Sequence, residues 1–253
     1  MSRTVDQKLT IAAPPDVVWK ALTDAEELSR WFPLDARVSP GKDGSIWMSW
    51  GEIYEEESTI EAWEPGEHLR LAFPVHGDQR LVTDYHLTAA GGSTVLRVVT
   101  SGFGDGEAWD RMFGGVQQGW TFELRGLKHY LERHRGAPRH VAWARVAFDG
   151  KPQDAWQRFT GPAGFFGPGI PPLNPGGPYG LTTKSGHTLS GAVLVYSPPW
   201  QFVGTVREWN EGLFRFEVEM HEAKGTVMVW LATWGGDAAK VAAVQEAWRK
   251  LLR

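Results

Sequence analysis

One succession of hydrophobic patterns runs along this chain twice, and that repetition constrains the fold more than any single motif does. In its first occurrence, "RTVDQKLTIA" alternates as a strand does. "APPDVVWKALT" follows, with Pro14 and Pro15 at a helix start and Val18, Trp19 and Leu22 on one face. "DAEELSRWF" reads as a second short helix, with Asp24 and Glu27 at capping-box spacing and Leu28, Trp31 and Phe32 as its apolar stripe. From Asp43 the period changes to two. "GSIWMSW", "IYEEESTIEAW", "HLRLAF", "RLVTDYHLTA" and "STVLRVVTSGF" are successive strands separated by turns such as "EPGE" and "AAGG". Residues 107–134 close the series as a long helix, with Trp109, Phe113, Val116, Trp120, Leu124, Leu127 and Leu131 spaced by threes and fours.

After "RGAPR" the order begins again. "HVAWARVAF" is a strand, and "KPQDAWQRF" is a helix in which Trp156 takes the place of Trp19. "LTTKSGHTLS", "GAVLVYSP", "QFVGTVREW", "LFRFEVEM" and "TVMVWLATW" follow as strands. The final helix has Asp237 as its N-cap and carries Val241, Val244, Trp248 and Leu251 on one face. "IEAWEPGEHLRLAF" from Ile60 lies over "VLVYSPPWQFVGTV" from Val193 without a gap. An α+β chain with an internal duplication is the economical reading, and its domains are expected over residues 1–135 and 140–253.

That boundary gives the stretch "GPAGFFGPGIPPLNPGGPYG", Gly161 to Gly180, an unexpected place. Thirteen of its twenty residues are glycine or proline, which suits a linker between domains. In the repeat frame it falls inside the second copy, where the first has "DAEELSRWFPLDARVSPGKDG". A short helix has been replaced there by a proline-stiffened loop bearing Phe165, Phe166 and Tyr179. Such a loop either plugs the interior of the second copy or forms a lid over a remodelled one.

Composition excludes several classes of function. There is no cysteine, so disulfides, thiolate nucleophiles, Cys-ligated zinc and iron–sulfur clusters are ruled out. The net charge is −4 with no basic run, and no partner nucleic acid is expected. No window approaches eighteen uninterrupted apolar residues, so no membrane span is expected, and the cytoplasm is the default location. No strand-linked glycine motif for nucleotides and no HExxH occurs; His129 and His134 are placed on different faces of the long helix. Neither a cofactor nor a metal is therefore expected.

The first half resembles the bacterial activator-of-heat-shock-protein-90-ATPase-like family of the START / Bet v 1-like (SRPBCC) superfamily. The resemblance is carried by "APPDVVWKALTDAEELSRWF", "DGSIWMSWG", "STIEAWEPGEHLRLAF", "STVLRVVTSGF" and "GWTFELRGLKHYLE", in that order. The second half keeps "PQDAWQRF", "SPPWQFVGTV" and the last helix, as a divergent copy. The resemblance implies two tandem helix-grip domains, each a curved antiparallel sheet wrapped around a long C-terminal helix, with a cavity for a small hydrophobic molecule between them.

With fourteen tryptophans in the chain, an aromatic lining for such a cavity is expected from Trp31, Phe32, Trp47, Trp50, Tyr54, Tyr85, Phe113 and Trp120. Each of these is equally a candidate for ordinary core packing. Asp84, His86 and Arg97 could orient a ligand, but Asp84 and His86 lie on the strand face opposite Thr83 and Tyr85, a solvated or interdomain face or else a site. No nucleophile stands at a recognisable spacing, so no catalytic residue is assigned. "YEEES" reads as a solvated acidic edge. Gly114, Gly115, Gly119 and Gly126 interrupt the long helix, either where it packs tightly or where it is thinned for a ligand. The expected function is binding of a small hydrophobic or aromatic molecule. A protein-interaction module acting on a chaperone, and a cyclase- or hydrolase-type enzyme, are the alternatives.

Overall fold

A computed structural model describes residues 3–221 and 224–252, which divide into two compact units, Met1–Ala137 and Pro138–Arg253. The first contains β1 (Val5–Ile11), α1 (Pro15–Thr23), α2 (Ala25–Ser29), β2 (Asp35–Ser39), β3 (Ser45–Ser49), β4 (Glu55–Glu64), β5 (His68–His76), β6 (Gln79–Ala90), β7 (Ser93–Ser101) and α3 (Glu107–His129). One π-helical turn, Tyr130–His134, extends α3. The seven strands form one antiparallel sheet in the order β1-β7-β6-β5-β4-β3-β2.

Local chemistry explains the element ends. Pro15 opens α1 where a missing N–H costs nothing. The Asp24 carboxylate accepts the Glu27 backbone N–H at 3.0 Å and starts α2. That helix ends at Ser29, earlier than the apolar stripe through Phe32 suggests. Trp31 and Phe32 instead lie just beyond it, Trp31 buried with its indole N–H donating to the Ala21 carbonyl at 2.8 Å. Glu27 is fixed from both sides: Arg30 donates to it at 2.6 Å, and the buried Tyr130 hydroxyl at 2.8 Å. Those bonds tie α2 to the end of α3.

The second unit runs β8 (Arg139–Asp149), α4 (Pro152–Thr160), β9 (Pro178–Thr182), β10 (Thr188–Ser197), β11 (Gln201–Val206), β12 (Gly212–His221), β13 (Lys224–Trp234) and α5 (Ala238–Leu251). Its six-stranded sheet, β8-β13-β12-β11-β10-β9, repeats the first order without a counterpart of β2. The repetition extends to an irregularity. The β4–β5 ladder shifts register between Ile60 and Ala62, and the β10–β11 ladder shifts between Val193 and Val195, the residues that the gapless frame aligns. Likewise Trp19 meets Trp63 edge-on with centroids 5.2 Å apart, and Trp156 meets Tyr196 at 6.1 Å.

Two strand readings need correction. β2 has the sequence DARVS, too short and polar for its pattern to announce an edge strand. In the second unit the break falls at the Thr183–Gly186 turn, so that Gly191–Ser197 continues β10 rather than starting a new strand.

The Gly/Pro stretch lies between α4 and β9, inside the second unit. Backbone bonds from Phe165 to Phe159, Gly167 to Thr182 and Ile170 to Thr160 hold it (2.7, 3.0 and 2.7 Å). Glycine is required at Gly164, where a Cβ would stand 2.2 Å from the Phe159 carbonyl oxygen. Phe165 and Phe166 are turned fully inward, within 4.9 to 6.5 Å of each other and of Phe214, Phe216 and Trp248. Of the two readings left open by the sequence, the packing is that of a plug.

In α3 the glycines are not packing notches. No atom lies within 4 Å of where a Cβ would sit on Gly114, Gly115 or Gly119, and at Gly126 the nearest is the Trp31 oxygen at 3.9 Å. Replacing the first three by alanine is expected to stabilise the helix by roughly 1 kcal/mol each. Thermal unfolding followed by circular dichroism checks this: a Tm unchanged or lowered in the triple variant would show that the space is needed.

Candidate functional site

On the inner face of the first sheet, strand register brings Thr83 opposite Thr100 and Tyr85 opposite Val98. The two threonine hydroxyls lie 3.0 Å apart, and the Trp120 indole on α3 donates to Thr100 Oγ1 at 3.0 Å. The helix is thus pinned to the sheet by a three-member polar chain surrounded by rings. Trp120 meets Tyr85 edge-on at 5.7 Å and Phe32 at 5.8 Å. Phe32 stacks on Trp31 at 4.9 Å and meets Trp50 edge-on at 5.1 Å. Trp50 in turn lies 6.0 Å from Tyr54 across the β3–β4 turn. These spacings are those of favourable aromatic pairs.

Six of the eight aromatics named from the sequence therefore form one connected group: Trp31, Phe32, Trp50, Tyr54, Tyr85 and Trp120. Trp31 and Tyr85 are buried in it, while Phe32, Trp50 and Trp120 are partly exposed and Tyr54 is 52% exposed. The other two find their ring partners elsewhere, although Phe113 packs against the same Leu81/Phe103 cluster as Trp120. Phe113, two turns before Trp120 on α3, packs on Phe103 at 5.2 Å with the Arg3 guanidinium over its ring. Trp47 alternates with the buried Ile46 and Met48, which puts it on the outer face, covered by the Arg37 guanidinium at 4.5 Å. The placement of Trp47 in the lining is thus corrected by strand parity, which turns alternate residues to opposite faces.

Parity also reveals a residue passed over. Glu56 has the parity of the buried Ser58 and Ile60, so it points inward rather than forming a solvated edge. Burial pushes its carboxyl above the ordinary range, opposed by a 3.1 Å hydrogen bond from the Tyr54 hydroxyl. Tyr54 is itself pushed up to about 12 by burial of its hydroxyl and by the Glu56 charge. Burial, with the Glu56 charge adding to it, also holds the Tyr85 hydroxyl well above its ordinary value. The group accordingly combines an aromatic wall with a carboxyl, two tyrosine hydroxyls and two threonine hydroxyls.

Asp84, His86 and Arg97 lie on the opposite sheet face. Arg97 pairs with Asp6 at 2.6 Å, and Asp84 lies 2.8 Å from His68 Nε2. His129 and His134 do not diverge as a regular α-helix would place them. The π-helical turn adds a residue to the repeat and brings their Nε2 atoms to 3.3 Å.

An antiparallel sheet followed by a long helix, made twice in one chain, defines a tandem helix-grip α+β protein. Residues 12–132, within the first domain, match the family described as activator of Hsp90 ATPase homolog 1-like protein. Among solved structures, the chain is similar to protein MLL2253 from Mesorhizobium loti, with 26% identity over 51% of this chain and 97% of that one (TM-score 0.46). DynU16, a protein of the dynemicin biosynthetic locus, is 17% identical over 98% of this chain and 95% of its own (TM-score 0.46). The di-domain ARO/CYC BexL of the BE-7585A biosynthetic pathway is 13% identical over 99% of both chains (TM-score 0.47). No curated protein matches the sequence. No helix among the described residues is long and apolar enough to cross a membrane.

Proposed function

We propose that the first domain binds one small, largely apolar molecule with an aromatic or polycyclic body and one or more oxygen substituents. The observation that carries this reading is the incomplete burial of Phe32, Trp50, Tyr54 and Trp120 within a connected aromatic group that also holds an inward carboxyl. Apolar rings left partly wet gain roughly 25 cal/mol for each Å² that a ligand covers. The hydroxyls of Tyr54, Thr83 and Thr100 and the Glu56 carboxyl supply the few polar contacts that set orientation in such sites. In the second domain the space between sheet and helix is occupied by Phe165 and Phe166, so that domain supports the chain without a ligand of its own.

Native mass spectrometry of the full chain against a panel of fatty acids, sterols and hydroxylated polycyclic aromatics tests the proposal. One equivalent of a polycyclic aromatic is the expected adduct. No uptake from the panel, or uptake of two equivalents, would overturn it.

A further inference from the structure

The outer face of the first sheet carries a different chemistry. β5 and β6 pair so that His68 stands directly opposite His86, and Asp84 lies two residues from His86 on the same face. The two imidazoles stack almost parallel, with centroids 4.5 Å apart and planes 5° from one another. His68 Nε2 is 2.8 Å from Asp84 Oδ1. One donor atom from each of the three residues falls within 4.8 Å of the other two; among the described residues this is the only such group of three histidine or carboxylate side chains.

We propose that His68, Asp84 and His86 hold a divalent transition-metal ion of the zinc, cobalt and nickel type. Two imidazole nitrogens and one carboxylate oxygen make a donor set that suits these ions better than calcium or magnesium. An ion about 2.0–2.2 Å from each donor needs donor pairs separated by about 3 to 3.5 Å, so the three side chains must close from the 4.8 Å within which their donor atoms lie. His86 is exposed, so the remaining coordination positions face water.

The surroundings support the ion rather than repel it. Arg70 reaches both Asp84 oxygens, at 3.2 and 3.1 Å, but its charge is shared with Glu61, which also takes Arg80. Arg97, across from His86, is paired with Asp6. Behind His68, the Glu64 carboxylate lies 3.9 Å from Nδ1, the side that a carboxylate occupies when it orients a ligating histidine. These contacts hold His68 and Asp84 in place, His86 stacks on His68, and the two neighbouring arginines, Arg70 and Arg97, are each paired with a carboxylate.

The test uses the full chain, free of any histidine tag, titrated with Co2+ and read by its visible d–d absorption, with Zn2+ displacement read by calorimetry. One ion per chain is expected. His86→Ala, His68→Ala and Asp84→Asn should each weaken binding at least about tenfold, while His129→Ala and His134→Ala, which dismantle the other histidine pair, should not. His86→Ala removes an exposed side chain, so circular dichroism should show that variant folded and its loss of binding interpretable. Absence of saturable one-to-one binding overturns the proposal. So does binding that survives His86→Ala or Asp84→Asn within tenfold, or that is lost instead with His129 or His134.

Discussion

Replacing Phe165 and Phe166 together by alanine should unfold the second domain at room temperature. Both side chains are essentially inaccessible (2% and 0% exposed), and their rings contact Phe214, Phe216 and Trp248, which come from β12 and α5. A buried Phe→Ala change costs roughly 3–5 kcal/mol. The two rings touch each other, so the costs will not add fully, yet even a discounted sum rivals the 5–15 kcal/mol that holds a typical domain together. The contrast lies within the same segment. Pro171 and Pro172 are exposed, and alanine at both should change stability by no more than about 2 kcal/mol, through the entropy of the unfolded chain. Amide hydrogen exchange resolves the two cases: protection across β9–β13 should collapse in the phenylalanine variant and persist in the proline one. Intact protection in Phe165→Ala/Phe166→Ala would mean that the segment is a loose cover rather than core.

This outcome bears on how much a sequence discloses. The duplication was legible because each copy must bury one sheet face against one helix, and that requirement writes periods of 2 and 3.6 into the chain. The register shifts after Ile60 and Val193 recur at positions that the gapless frame aligns, although the hydrophobic pattern does not announce a shift. Caps were legible as well, since the Asp24 and Asp237 carboxylates accept backbone N–H groups as their positions imply. Residues whose role depends on pairing across a turn were not. His68 and His86 are 18 positions apart in sequence, and only the β5–β6 register puts one opposite the other. His129 and His134 meet because of an inserted π-turn that no periodicity announces. The errors at Glu56 and Trp47 are of another kind. Strict alternation from Ile60 and Ile46 assigns Glu56 inward and Trp47 outward, against what acidity and aromaticity alone suggest.

Trp47 and Trp120 consequently make a matched pair for the site itself. Trp120→Ala should weaken binding of an aromatic fluorophore such as 1-anilinonaphthalene-8-sulfonate by about thirtyfold, the equivalent of roughly 2 kcal/mol expected for a central aromatic anchor. It removes the ring that touches both Phe32 and Tyr85, and it removes the donor to Thr100. Trp47→Ala deletes a side chain of the same size from the outer face, where its partner is Arg37, and should change the affinity less than threefold, about 0.6 kcal/mol. Trp120→Phe separates the two contributions of Trp120: it keeps a ring between Phe32 and Tyr85 but gives Thr100 no indole donor. Affinity close to that of the parent chain would assign the effect to the aromatic wall, and loss comparable to Trp120→Ala would assign it to the Trp120–Thr100–Thr83 chain. Near-ultraviolet circular dichroism on each variant guards against the fluorophore reporting a loosened core instead of a site. Equal losses in Trp47→Ala and Trp120→Ala, or none in either, would place the binding surface away from the space between α3 and the first sheet.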